Sequence, residues 1–265
     1  MAYFVTKNQF LNKYRNQLQK WVIAIGLLMV AAVAIWYFRD INALKWQHIN
    51  KLGIRLPLRY DTHGIDVSKH NGRIDWQKVR AMRFEGLRLQ FAFIKATEGT
   101  SITDKAFKTN WQQADDVGLY RGAYHFYIPW RTAKPQFDNF VKSVSLKKGD
   151  LPPVLDFEIG TKSLSQQQVI QNVKEWLQMA EAYYGVRPII YTNADFYRRY
   201  VKDNLDDYPL WIADYSNFDL DRYDKKANII IWQHSKSGYV EGINGVVDYN
   251  VLLGNADDLK ELCLQ

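Results

Sequence analysis

Between His63 and Asn250 the chain repeats one pattern: a short β-branched or aromatic run, a polar or amphipathic stretch, then another such run. Runs at residues 63–68, 89–96, 121–128, 151–158, 187–193, 209–215, 227–235 and 245–250 read as strands. Helical periodicity predicts helices over 75–84, 104–118, 132–146 and 163–184, with a short one from Ala194. In the longest, Val169, Val173, Trp176, Leu177 and Ala180 share one face and read as core, with Ser163 and Ser165 as candidate N-caps. Strands alternating with helices specify an α/β protein with a largely parallel sheet, and this many strands point to a closed barrel. A complete (β/α)8 barrel takes about 250 residues. The expected fold is therefore an irregular, abbreviated, TIM-barrel-like (β/α) barrel forming a single catalytic domain over 61–265, its late helices reduced to loops.

Residues 21–38, WVIAIGLLMVAAVAIWYF, form an uncharged run of 18 residues. As a helix they span about 27 Å at about 1.5 Å per residue, just enough to cross a bilayer. Lys7, Lys13, Arg15 and Lys20 precede the run with no acid among them, which favours a cytoplasmic N-terminus over 1–20 and an exported C-terminal domain. Ala32-Val33-Ala34 offers the alternative of a cleaved signal peptide, but bulky apolar residues continue to Phe38, and Trp21, Trp36 and Tyr37 suit membrane interfaces. An uncleaved anchor with the catalytic domain outside the cytoplasm, at the cell surface or in the periplasm, is the favoured reading. Residues 39–60 read as a juxtamembrane stalk.

The net charge of +7 belongs to the first segment. Residues 1–60 hold nine Lys and Arg against one acid, and residues 61–265 hold 26 against 27. The exported domain is thus near neutral, which disfavours a nucleic-acid partner. The single cysteine, Cys263, excludes an internal disulfide and thiolate metal clusters. His63, His70, His125 and His234 lack short metal-type spacing.

Polar residues closing apolar strands have priority in a barrel, because the functional face lies where strands end. Asp66, Asp156, Glu158 and Asp248 close three such runs in the sequence. In Asp156-Phe157-Glu158 the two acids, at i and i+2, share one face of a strand about 7 Å apart at the backbone. Repulsion and burial are expected to keep one carboxyl protonated while its neighbour stays ionised, the pairing that glycosidic cleavage requires. A divalent-metal site built from the same four acids is the rival chemistry, and spacing alone does not separate the two.

The segments GIDVSKHNGRIDW (64–76), FAFIKATEGTSITD (91–104), GAYHFY (122–127), PVLDFE (153–158), PIIYTN (188–193), PLWIADY (209–215), IWQHS (231–235) and GINGVVDYN (242–250) resemble, in this order, the glycoside hydrolase family 25 lysozymes. The resemblance covers residues 61–262 or so and implies an N-acetylmuramidase acting on peptidoglycan glycan strands, with neither metal nor cofactor. It implies further that Glu158 is the general acid/base, that Asp156 is its partner, and that Asp66 and Asp248 are the remaining acids of the site.

Beyond the acids, candidate substrate contacts are His125 and Tyr127, which share a face at i and i+2, Lys95 and Glu98 past the second strand, and Tyr191 and Trp211 at strand ends. Trp232 is a weaker candidate. The acids of 203–207 and 219–224 read as solvated loop. The rivals are a chitinase or glucosaminidase, whose acidic pattern often extends to the position held here by Val154, and an idle wall-binding module, which the presence of all four acids disfavours. A monomer tethered through 21–38 is expected.

Overall fold

The computed structural model describes residues 2–42, 46–216 and 219–265, with side chains described from Arg15 to Tyr37 and from Trp46 onward, 217–218 excepted. The chain divides into two compact units, residues 1–45 and 46–265.

The first unit is one helix, α1 (Ala2–Asn42). Its stretch Arg15–Tyr37 contains an 18-residue window of mean hydropathy 2.1 and is long and apolar enough to cross a membrane. At about 1.5 Å per residue this stretch measures about 34 Å, more than the hydrocarbon thickness of a bilayer. Its large apolar side chains are exposed, as a membrane-embedded segment requires and a soluble core helix does not.

The second unit starts earlier than the sequence suggests. Strands β1 (Trp46–Ile49) and β2 (Ile54–Pro57) pair as a hairpin whose turn closes at Gly53 with φ 64°. Ile49, Leu52, Ile54 and Leu56 are buried in the main core. This corrects the expected stalk over 39–60: residues 46–57 are a packed hairpin held by apolar burial, α1 runs to Asn42, and residues 43–45 lie outside the described residues. The alternation at 54 and 56 is a strand signal, obscured by Gly53 before it and Arg55 within it.

Eight strands close the barrel: β3 (His63–Val67), β4 (Leu89–Glu98), with a two-residue strand β5 (Ile102–Thr103) on its end, β6 (Tyr120–Phe126), β7 (Val154–Asp156), β8 (Ile189–Asn193), β9 (Leu210–Ala213), β10 (Ile229–Gly238) and β11 (Val247–Leu252). Closure comes from β3, which pairs with both β4 and β11. The pairings from β3 round to β10 are parallel, and β11 is antiparallel to both neighbours.

Helices α2 (Trp76–Ala81), α3 (Phe107–Asp116), α4 (Ala133–Ser143) and α5 (Gln166–Tyr184) supply the first four crossovers. Ser165 caps α5, its side chain accepting from Gln168 N while the Gln168 side chain answers at the cap backbone. The next crossover is only α6 (Ala194–Phe196) and a π-helical turn, and no further helix appears among the described residues until α7 (Ala256–Leu262).

The fold is thus the abbreviated barrel that the pattern implied, with two apolar layers. One lies between the sheet and its helices. The other fills the lumen, where Phe91, Phe93, Leu151, Val154, Ile189, Trp211 and Ile231 meet Leu259 and Cys263 from α7 and its end. The lumen is narrow enough that a Cβ on Gly64 or Gly122 would stand 2.3 Å from Phe91 or Phe93. Glycine at these inward positions lets the two phenylalanines fill the barrel.

Candidate active site

At the C-terminal ends of the parallel strands one open cleft collects inward-facing side chains from every barrel strand. Asp66 comes from β3, Lys95 from β4, Tyr124 and Phe126 from β6, Asp156 from β7, Tyr191 from β8, Trp211 from β9, Gln233 and Lys236 from β10, and Asp248 from β11. Glu158, two residues beyond β7, Tyr215 beyond β9, and Ser68 and His70 beyond β3 complete the rim.

The pleat explains why Asp156 and Glu158 converge although β7 is short. Phe157 N donates to Tyr191 O at 2.9 Å, and Thr192 Oγ1 donates to Phe157 O at 2.7 Å, so β-like bonding continues past the strand. Phe157 then points outward, with Tyr127, Phe196 and Tyr200 at ring separations of 5.3–6.0 Å, while the flanking acids point into the cleft.

Asp248 arrives by a different route. It opens an antiparallel strand rather than closing a parallel one, and its register partner is Asp66. Because β11 runs the other way, its start lies at the functional end. Two acids directly opposite on neighbouring strands repel, a cost that a purely structural sheet would avoid.

Asp66 is held by a chain of fixed donors. Its Oδ2 accepts from Gln233 Nε2 at 2.7 Å and from Asn250 Nδ2 at 2.8 Å. Gln233 Oε1 accepts from the hydroxyls of Tyr191, at 2.9 Å, and Tyr215, and Asn250 Oδ1 accepts from Trp211 Nε1 at 2.7 Å. Indole N–H only donates, so Trp211 fixes the Asn250 amide and aims its NH2 at the acid. Gln233 and Asn250 are themselves register partners on β10 and β11.

Burial is the first cause of every shift in the carboxyl cluster. It pushes Asp66 well above the usual carboxylate range, with Asp248 adding repulsion and the two amide donors opposing. Asp156 is also driven well up by burial and then by Glu158, against the pull of Lys95, and its buried Oδ1 has no hydrogen-bond partner. Burial and then Asp248 raise Glu158, again opposed by Lys95. Asp248 rises to about 6, with Lys236 opposing. All four carboxyls are raised, because they share one poorly solvated volume. Among the described residues no three His, Cys, Asp or Glu side chains form a metal-binding group.

Lys95 lines the cleft between acid and aromatic, its Nζ 2.8 Å from Glu98 Oε2 and 4.5 Å from the centre of the Phe126 ring. Glu98 stands behind it and does not line the cleft. Tyr191 and Trp211 lie on the floor, Trp211 stacked on Phe93 at 4.5 Å.

His125 and Tyr127 are placed elsewhere, and the expectation for them is corrected. His125 is fully buried on the outer face of β6, stacked on Trp176 at 5.7 Å, with Thr97 Oγ1 2.7 Å from its Nδ1. Tyr127 is buried against Phe157. Trp232 likewise faces outward, edge-on to Trp46 at 5.3 Å. The inward residues of β6 are Tyr124 and Phe126, and the signal for them was Gly122: the residue two after an inward glycine is also inward, as Gly64 shows for Asp66. Gln233, Asn250, Tyr215 and Lys236 were missed as well. Neutral amides in a strand carry no sequence mark of their role.

A family model described as "Glycosyl hydrolases family 25" matches residues 65–243, which include Asp66, Asp156 and Glu158. The chain belongs to glycosyl hydrolase family 25. Lysozyme M1 of Streptomyces globisporus is 31% identical over 211 residues, 75% of this chain and 70% of that protein. YegX of Escherichia coli strain K12 is 40% identical over 258 residues, 93% of this chain and 94% of that one. A family 25 glycosyl hydrolase structure from Bacillus anthracis superposes with a TM-score of 0.70 at 29% identity, covering 83% of this chain and 97% of that one. This member of family 25 is a glycoside hydrolase of the lysozyme type. Asp248 lies beyond the matched segment, and the antiparallel register sets it opposite Asp66.

Proposed function

We propose that the chain is an N-acetylmuramidase that hydrolyses the β-1,4 bond between N-acetylmuramic acid and N-acetylglucosamine in peptidoglycan. The observation that carries this reading is the convergence of four carboxyl groups on the cleft of a lysozyme-type barrel, two of them on one face of a single strand end.

Glu158 acts as general acid. Burial and the neighbouring Asp248 keep its proton bound at higher pH than an ordinary glutamic acid would, and it protonates the leaving glycosidic oxygen as the C1–O bond breaks. Positive charge then develops at C1 and the ring oxygen. Asp156, on the same face, stabilises that charge either directly, beside a glycosyl ion, or by orienting the sugar's acetamido group for closure to an oxazolinium ion. Water then attacks C1 and returns a proton to Glu158. Asp66, immobilised by Gln233 and Asn250, keeps the acid cluster in place, and Tyr191 and Trp211, packed at the cleft floor, hold those two amides in position. α1 serves as an uncleaved membrane anchor that holds the catalytic domain outside the cytoplasm, and one copy of the chain supplies the whole cleft.

The test is Glu158→Gln in the full-length chain, purified in detergent and assayed on peptidoglycan. Hydrolysis is expected to fall by about 10²–10⁴-fold with no loss in melting temperature, the range general acid catalysis supplies. Near-normal turnover would remove Glu158 from the mechanism.

A further inference from the structure

Beside the acid cleft lies a second, open groove of about 500 Å³, built from the end of β8 and α6 on one side and the β9 loop on the other. Tyr215 and Lys236 line both cavities, so the two are contiguous. Their charge differs in sign. The cleft sets four carboxyl groups against Lys95 and Lys236, whereas the groove sets Arg198, Arg222 and Lys236 against Asp195 and Asp214.

The pairing within the groove leaves its positive groups available. Asp214 is buried and already engaged by Arg222, the Tyr223 hydroxyl at 3.0 Å and Ser216, so its charge is compensated inside the fold. Arg198 pairs with Asp195, yet 57% of its side chain is exposed. Each guanidinium has five donors in a fork, so one ion pair does not exhaust it. Lys236 lies 5.3 Å from the centre of the Tyr215 ring, on the boundary between cleft and groove.

The glycan backbone of peptidoglycan is neutral apart from muramic acid, whose lactyl group carries a peptide stem with free carboxylates. A stem on a sugar in the cleft has to leave it sideways. We propose that this groove receives the carboxylate-bearing stem, with Lys236, Arg198 and Arg222 as its anchors, and that it makes the enzyme prefer stem-bearing over bare glycan. The assignment rests on the muramidase reading above and adds a specificity site to it.

The experiment compares the full-length chain, in detergent, on two substrates: stem-bearing glycan strands and the same strands stripped of stems by an amidase, which leaves a lactyl carboxylate on the sugar but removes the more distant carboxylates of the stem. The quantity read is the ratio of kcat/KM on the two, which cancels any general effect of a variant on chemistry or folding. Wild type is expected to favour the stem-bearing glycan. Lys236→Gln and Arg198→Gln should each lower the preference by up to about fivefold, the worth of one solvent-exposed charge pair, and Lys236→Arg should restore it. A wild type without preference, or variants that cut both glycans with the wild-type ratio, would overturn the stem site and leave the muramidase intact. Failure of wild type to cut either glycan would overturn the muramidase reading and the stem site with it.

Discussion

Two sets of poorly solvated titratable groups sit on opposite faces of the same barrel wall. The acids at the open end, Asp66, Asp156, Glu158 and Asp248, face the cleft and all bind protons more tightly than free carboxyls do. The histidines on the outer face are pushed the other way by burial, His63 to about 4 and His125 and His234 to about 3. Desolvation drives both sets, and it favours the neutral form in each. Only the acids adjoin space that a substrate can enter. A perturbed pKa therefore marks burial, and the face of the strand decides whether that burial is structural or chemical.

The largest contrast is expected from substituting one member of each set. Asp156→Asn should lower kcat/KM on peptidoglycan by about 10²–10³-fold, as loss of a charge-stabilising group at the reacting centre does, without loss of thermal stability. His125→Ala should do the opposite. Losing the stacked ring and stranding the Thr97 hydroxyl should cost about 3 kcal/mol in denaturant unfolding, while the protein that remains folded keeps kcat within a few-fold. A catalytic collapse in His125→Ala at full stability would return that residue to the cleft.

The comparison sharpens with pH. Asp248 rises from an ordinary 3.8 to about 6 in the folded state, so the folded chain holds this proton more tightly than the unfolded chain. That contribution is complete below pH 4 and is lost as pH rises through 6. Asp248→Asn should thus stabilise the protein by about 3 kcal/mol at pH 8 and by almost nothing at pH 3.5, a gain that follows from the size of the shift. The buried histidines have the opposite sign. Their folded pKa values are depressed, so their contribution is present above 6.5 and is lost as pH falls. The smallest effect is expected from Tyr127→Phe. The Tyr127 hydroxyl is buried without a partner, so its removal should change stability by less than about 1 kcal/mol, toward greater stability, and leave activity unchanged.

Much of this was legible in the chain. The barrel follows from alternating periods of apolar residues, and Asp66, Asp156 and Glu158 follow from polar residues ending those runs. The errors lay where sequence fixes a period but not its phase. In residues 122–127 both alternations are equally aromatic, and only the demand for glycine inside a narrow lumen separates Tyr124 and Phe126 from His125 and Tyr127. Asp248 was found for an incomplete reason, since strand direction is a property of the closed sheet. The hairpin at 46–57 was hidden because its buried positions alternate with Lys51, Arg55 and other polar residues that read as a stalk. The Gln233–Asn250 pair exists only once β10 and β11 are in register.

The central claim is tested most directly by the new chain end. Purified peptidoglycan digested with the full-length protein is reduced with borohydride, and the reduced sugar is identified by mass spectrometry. The account predicts reduced N-acetylmuramic acid from wild type and none from Glu158→Gln. Reduced N-acetylglucosamine, or intact glycan that is bound but never cut, would contradict it.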